Sequence, residues 1–253
     1  MIQQMIQGKL DQIEKEQQVS ILYACESGSR AWGFESQDSD YDVRFIYVRP
    51  RDWYLSVDLE SRRDVIELPV DEVFDINGWD LRKSLQHMRK SNPALMEWLS
   101  ASIIYRQNDA FVNDIKRLMS MYYSPKACFY HYLHMAKKNY RVYLRSEQVR
   151  IKKYFYVLRP LLAMKWLEQA LGVVPIQFQV MVDQLIPEGA LKQDIGELIV
   201  QKKSGFEAKY ADPIERIDQF IVEEIERLSQ KAHMLHEPSV DDKPLNRLFR
   251  DYV

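Results

Sequence analysis

The stretch Cys25-Glu-Ser-Gly-Ser-Arg-Ala-Trp-Gly-Phe-Glu-Ser-Gln-Asp-Ser-Asp-Tyr-Asp-Val-Arg44 decides how this chain is read, because it joins a Gly-Ser turn to two alternating carboxylates across ten residues. Upstream, Val19-Ser-Ile-Leu-Tyr-Ala-Cys25 has the content of a strand that runs into Gly28-Ser29, where backbone N–H groups and a hydroxyl could hold a phosphate. Downstream, Tyr41, Val43, Phe45 and Tyr47 alternate with Asp42, Arg44 and Ile46, the period of a second strand. Side chains two apart on a strand share a face, so Asp40 and Asp42 point the same way. Two like charges held together are costly unless a cation lies between them, which asks for Mg²⁺. Either half alone reads as a hairpin turn or a strand opening; the combination carries the metal reading.

Working outward, Ile2, Met5, Ile6, Leu10 and Ile13 recur at helical spacing and predict an amphipathic helix over residues 1–17. Further strands are expected over 64–68 and 73–77, with the polar stretch 50–63 as a loop or irregular edge. Leu81, Leu85 and Met88 give a helix that Ser91-Asn-Pro93 interrupts and residues 94–99 continue. From residue 109 the pattern is helical almost to the end. Ser124-Pro125 reads as the cap and first turn of a long helix, 152–171 as another kinked near Pro160, and Asp212-Pro213 as the start of the last long one. The expected fold class is α+β. A mixed-sheet domain with flanking helices fills residues 1–108, and a helical bundle fills 109–253, ending in a tail from 236 with one short helix.

With 253 residues, 46% of them apolar, the chain can bury a sizeable core. No run of about 18 apolar residues and no signal-peptide pattern is present, so a cytoplasmic protein with no membrane partner is expected. Two cysteines, Cys25 and Cys128, are too few for a disulfide framework and read as reduced core thiols. The net charge of −2 does not advertise a nucleic-acid binder. Locally, Lys137, Lys138, Arg141, Arg145, Arg150, Lys152, Lys153 and Arg159 concentrate positive charge. Such a run is either a solvated helix face or a surface for a nucleoside triphosphate or an RNA end.

A Gly-Ser pair, ten residues and then Asp-x-Asp in a hydrophobic strand resembles the signature of the polymerase-β-type nucleotidyltransferase superfamily. The longer string Gly28-Ser-Arg-Ala-Trp-Gly-Phe through Ser39-Asp-Tyr-Asp-Val-Arg44 is similar to the predicted nucleotidyltransferase family that includes the bacterial YcgL proteins. The resemblance continues through 75–83, 91–99 and 152–160. It implies a catalytic domain that uses Mg²⁺ or Mn²⁺ held by three carboxylates to move a nucleoside monophosphate from a nucleoside triphosphate to a hydroxyl, releasing pyrophosphate. Asp40 and Asp42 would bridge the metals. Asp75, flanked by apolar residues as a central-strand acid would be, is the expected third ligand; Asp80, the alternative, also suits a helix N-terminus. Gly28 and Ser29 would cradle the β- and γ-phosphates, with Arg30 adding charge or pairing with Glu26 or Glu35. Arg44, on the carboxylate face, is expected to pair with those acids.

In the helical half, Lys153 and Arg159 are expected to neutralise triphosphate charge and Tyr154 or Tyr156 to stack on a base, although aromatics at helical spacing are more often core. His131 and His134 lack a third ligand at metal spacing. The acceptor stays open between an RNA 3′ end, a protein and a small molecule, and a non-catalytic nucleotide-binding module is the alternative to an enzyme.

Overall fold

Alternation along residues 41–48 sets the architecture. In the computed structural model this segment is the central strand β2 (Tyr41–Val48), with Val43, Phe45 and Tyr47 buried on one face and Asp42, Arg44 and Ile46 on the other. It pairs antiparallel with β1 (Ser20–Glu26) and parallel with β4 (Phe74–Asp80). Strand β3 (Val65–Glu67) lies beside β4 and β5 (Ile104–Gln107) beside β1, giving a five-stranded mixed sheet in the order β3-β4-β2-β1-β5. The structure describes residues 1–71, 73–205, 210–231 and 241–253.

One face of the sheet is closed by α1 (Ile2–Gln17), whose Ile6, Leu10 and Ile13 pack with Val43, Phe45, Tyr47 and Ile76. Gly78 of β4 lies under the Phe45 ring. A Cβ there would come within 2.1 Å of the ring, so a glycine is needed for strand and ring to approach. The other face meets α4 (Leu81–Arg89) and α5 (Pro93–Leu99): Trp79 of β4 lies 4.0 Å from the Trp98 ring, and the Tyr23 hydroxyl donates to the Trp98 carbonyl. The expected break between these helices is built by Asn92, which accepts from the Ala94 N–H with Pro93 in the first turn. The polar stretch 50–63 holds more order than expected, a short helix α3 (Arg51–Tyr54) and a 3₁₀ turn at Leu59–Ser61.

The chain groups into two compact units. The first is Met1–Ala31, Asp40–Tyr123 and Pro238–Val253, and the second is Trp32–Ser39 and Ser124–Glu237. The expected boundary after residue 108 therefore differs from the observed one: α6 (Asp109–Tyr122) and the C-terminal α12 (Lys243–Tyr252) belong with the sheet. Phe111 meets Tyr252 edge-on at 5.2 Å, and the Tyr252 hydroxyl bonds to Asp114. The expected tail is thus partly a packed helix; residues 232–240, with Pro238, lie outside the described residues.

The second unit is helical. Its α7 (Pro125–Tyr143), capped by the Ser124 hydroxyl, lies along α8 (Ile151–Glu168), a helix buried on most sides that continues through Pro160. Around them are α9 (Phe178–Leu185), α10 (Ala190–Lys203) and α11 (Glu215–Ser229), with a two-stranded ribbon of β6 (Val149–Arg150) and β7 (Tyr210–Ala211). The segment Trp32–Ser39 joins this unit through Phe34, stacked on Phe155 at 4.3 Å and edge-on to Phe178. Among the described residues no helix is long and apolar enough to cross a membrane, and Cys25 and Cys128 are buried free thiols.

Candidate active site

Two carboxylates converge because two strands run in register. Asp42 on β2 stands opposite Asp75 on β4 in the parallel pair. Arg44, two residues beyond Asp42 and on the same face, lies between them: its Nη2 is 2.8 Å from Asp42 Oδ1 and 2.8 Å from Asp75 Oδ2, and its Nη1 donates to the Asp75 carbonyl at 2.7 Å. Asp40 precedes the strand; its carbonyl accepts from Arg30 Nε at 3.1 Å, and its negative charge acts on Asp42. Burial pushes the Asp42 carboxyl up to about 6; the Asp40 and Asp75 charges add to the rise, and Arg44 opposes it.

Gly28 opens the short helix α2 (Gly28–Trp32) with φ +59°, and its main chain lies directly against Asp42. A Cβ on residue 28 would fall 1.8 Å from Asp42 Oδ2, so the Asp42 carboxylate fills the space where any other residue would carry its side chain. Ser29 follows, half-exposed. The expected Gly-Ser turn is therefore a helical turn that begins beside the carboxylates. Arg30 is folded back over the Tyr41 ring at 3.8 Å.

Glu26 enters the sequence analysis only as a pairing partner for Arg30, and it has a larger place at the site. Glu26 ends β1, is 1% exposed, and accepts from the Asp42 main-chain N–H at 2.9 Å and from the Tyr105 hydroxyl. Burial pushes its carboxyl up to about 7 against the pull of those two hydrogen bonds. A carboxylate closing an otherwise apolar strand just before the Gly-Ser turn was the available signal. Asp80 lies elsewhere: it caps α4 by accepting from the Arg82 N–H, and it takes the Tyr54 hydroxyl at 2.7 Å. That is the helix-terminus role weighed against metal ligation.

The helical residues expected at the nucleotide are placed differently. Tyr154 is 1% exposed; its hydroxyl donates to Asp218 and accepts from the Ile214 N–H, so the ring has no open face for a base, and the stacking expectation is corrected. Arg159 is 3% exposed, with its guanidinium over the Trp32 ring at 4.7 Å and a long bond to the Ile176 carbonyl, so it too is a core residue of its unit and not a surface cation awaiting phosphate. The Lys153 ammonium lies over the Tyr143 and Tyr156 rings at 3.9 and 4.5 Å.

The groups that Arg44 bonds are carboxylate and carbonyl oxygens, a set that suits a hard divalent cation, while the Cys25 thiol, opposite Arg44 on β1, is fully buried. Among the described residues no group of three or more ligating side chains is gathered tightly enough to enclose an ion. Two carboxylates face one another, with a guanidinium as stand-in cation, so the donor chemistry fits Mg²⁺ or Mn²⁺ once that side chain yields.

The chain is 45% identical over 253 residues to the Bacillus subtilis (strain 168) protein YcgL, described as uncharacterized, covering 100% of this chain and 96% of that one. A crystal structure of a nucleotidyltransferase-like protein from Exiguobacterium sibiricum 255-15 covers 91% of this chain and 79% of its own at 14% identity and a TM-score of 0.31, too low to bear on the assignment. A family match runs over residues 2–251, nearly the whole chain and both units. This protein belongs to RlaP, the RNA repair pathway DNA polymerase beta family.

Proposed function

We propose that the chain is a metal-dependent nucleotidyltransferase that moves a nucleoside monophosphate from a nucleoside triphosphate onto the 3′ hydroxyl of an RNA. One observation carries this reading: Asp42 and Asp75 meet across registered strands with the main chain of Gly28 pressed against Asp42. That arrangement suits a site that needs both a carboxylate pair and close backbone approach. The acceptor hydroxyl releases its proton to solvent as its oxygen bonds to the α-phosphorus, the bond from that phosphorus to the oxygen bridging to the β-phosphate breaks, and pyrophosphate leaves with that electron pair. A bound Mg²⁺ or Mn²⁺ supplies Lewis acidity for this displacement.

Asp40, Asp42 and Asp75 hold the cation, and Glu26 fixes the Asp42 main chain from behind. Gly28 lets the backbone approach the phosphates, Ser29 offers its hydroxyl to them, and Arg30 supplies charge at the same turn. RNA as acceptor is supported by the family description and by a row of exposed cations. Lys137 and Arg141, one turn apart on α7, and Arg145 just beyond its end are exposed and line, together with Glu226, an open groove of about 560 Å³ against α11. Among the described residues Lys137 and Arg141 have no ion pair, and Arg145 lies over the Tyr140 ring.

The test is incubation with each α-labelled nucleoside triphosphate and Mg²⁺ or Mn²⁺, offered RNA with free 3′ hydroxyls, RNA with blocked 3′ ends, or cell protein. Label on free-ended RNA with equimolar pyrophosphate is expected. Label on protein, or on a small molecule, would reassign the acceptor, and nucleotide binding without pyrophosphate release would make the chain a binding module.

A further inference from the structure

The Arg44 guanidinium bonds both Asp42 and Asp75, the carboxylate pair that an ion would share. Strand geometry aims it there, because a side chain two residues beyond Asp42 shares its face. Parallel register holds Asp75 opposite Asp42, and the bond from Nη1 to the Asp75 carbonyl orients the fork independently of either carboxylate. The three side chains are 17%, 18% and 31% exposed for Arg44, Asp42 and Asp75, so the cluster is desolvated enough for its charges to matter and open enough for an ion to enter.

Mg²⁺ bonds carboxylate oxygens at about 2.1 Å. An ion bonding both Asp42 Oδ1 and Asp75 Oδ2 from the side that Nη2 occupies would overlap it, since Nη2 stands 2.8 Å from each, and from any side the two cations repel. We propose that Arg44 is the resident counterion of the metal-free protein, and that its guanidinium and a divalent cation exclude one another from the Asp42–Asp75 pair. The inference rests on the metal reading given above. It has two consequences. Without metal, Arg44 keeps the two carboxylates side by side, so the pair is assembled before an ion arrives. With metal, binding includes expulsion of the guanidinium, so the ion is held more weakly than its donors alone would hold it.

The experiment titrates the full-length protein and Arg44→Met with Mn²⁺ in the absence of nucleotide, reading free Mn²⁺ by electron paramagnetic resonance and Tm in parallel. Arg44→Met is expected to bind Mn²⁺ about tenfold more tightly, since charge-assisted hydrogen bonds no longer compete. Its Tm should be lower than that of the parent without metal and should rise further on saturation. Equal or weaker binding by folded Arg44→Met overturns the inference and leaves the metal reading standing. Absence of binding by both proteins, or binding that survives in Asp42→Asn, overturns the two together. If Arg44→Met does not fold, the parent protein decides alone. Its Arg44 side-chain ¹⁵N resonance, identified by its loss in Arg44→Lys, should pass from restricted to free rotation as Mg²⁺ is added; a resonance unmoved at saturating Mg²⁺ overturns the proposal.

Discussion

Each unit holds a cluster of opposite charges, and the two clusters are balanced differently. In the helical unit Lys165 bonds Glu224 at 3.0 Å, while Arg227 forks onto Glu168 at 2.6 and 2.7 Å and reaches Glu224 at 2.8 Å. Two cations meet two carboxylates, and the Arg227 fork holds the Glu168 carboxyl below its ordinary range. In the sheet unit one guanidinium serves Asp42 and Asp75, and burial, helped by the Asp40 and Asp75 charges, pushes the Asp42 carboxyl up against the pull of Arg44. A balanced cluster stabilises the fold as it stands. One with fewer cations than carboxylates leaves negative charge that a further cation can meet, which is the property expected of a site.

The largest expected effect tests that contrast directly. Asp42→Asn and Asp75→Asn should each lower transfer by roughly 10²–10³-fold or more while leaving Tm nearly unchanged, since they remove a held charge and little packing. Glu224→Gln should do the reverse, costing about 2 kcal/mol in urea unfolding because Lys165 is left poorly paired in a mostly buried place, with turnover per folded molecule kept. A Glu224→Gln protein that is stable but inactive, beside an active Asp42→Asn, would show that the imbalance marks nothing.

Glycines sharpen the comparison. Gly28→Ala places a methyl 1.8 Å from Asp42 Oδ2 at φ +59°, so the carboxylate must move and activity should fall about 10²-fold. Gly33→Ala has φ +84° with nothing within reach, and should cost only the backbone term of about 1–2 kcal/mol. Equal activity in the two variants would remove the Gly28–Asp42 approach from the site.

Much of the sheet unit was legible because its strands alternate and its acids interrupt apolar runs, which is how residues 41–48 and Asp75 stood out. Strand β5 was not: Ile104–Gln107 is a four-residue edge with no fully buried side chain, so no alternation marks it. Membership of α6 and α12 in the sheet unit depends on contacts such as Phe111 with Tyr252 and Tyr54 with Phe249, which no local pattern encodes. Tyr154 misled for the same reason. A tyrosine on a helix reads alike whether it meets a base or the Asp218 carboxylate, and only the packing of α11 decides.

A smaller effect concerns the acceptor. Replacing Lys137, Arg141 and Arg145 together with Ala should weaken binding of a single-stranded RNA, measured by fluorescence anisotropy, and reduce the slope of log K against log salt by about 0.7 for each phosphate that is no longer neutralised. Nucleotide affinity should not change. An unaltered slope would return the α7 row to a solvated helix face.

The smallest effect falls on Asp80, a buried carboxylate of the sheet unit that lies outside the unbalanced cluster. Burial raises its carboxyl above the ordinary range, partly offset by the Tyr54 hydroxyl and the Arg82 N–H. The folded chain therefore keeps this proton to a higher pH than the unfolded chain, whose aspartate titrates near about 3.9. Between those two values the native state binds more protons, so the stability Asp80 contributes is greatest at low pH and declines as pH rises through the window. Asn keeps the cap to Arg82 but loses one acceptor, so Asp80→Asn should cost about 1 kcal/mol, with full transfer activity. Because Asn does not titrate, the gap between the two proteins in urea unfolding should narrow from pH 4.5 to pH 8. A gap that widens would mean that the ionised carboxylate is the form the cap and Tyr54 favour, and loss of activity would bring Asp80 into the site beside Asp75.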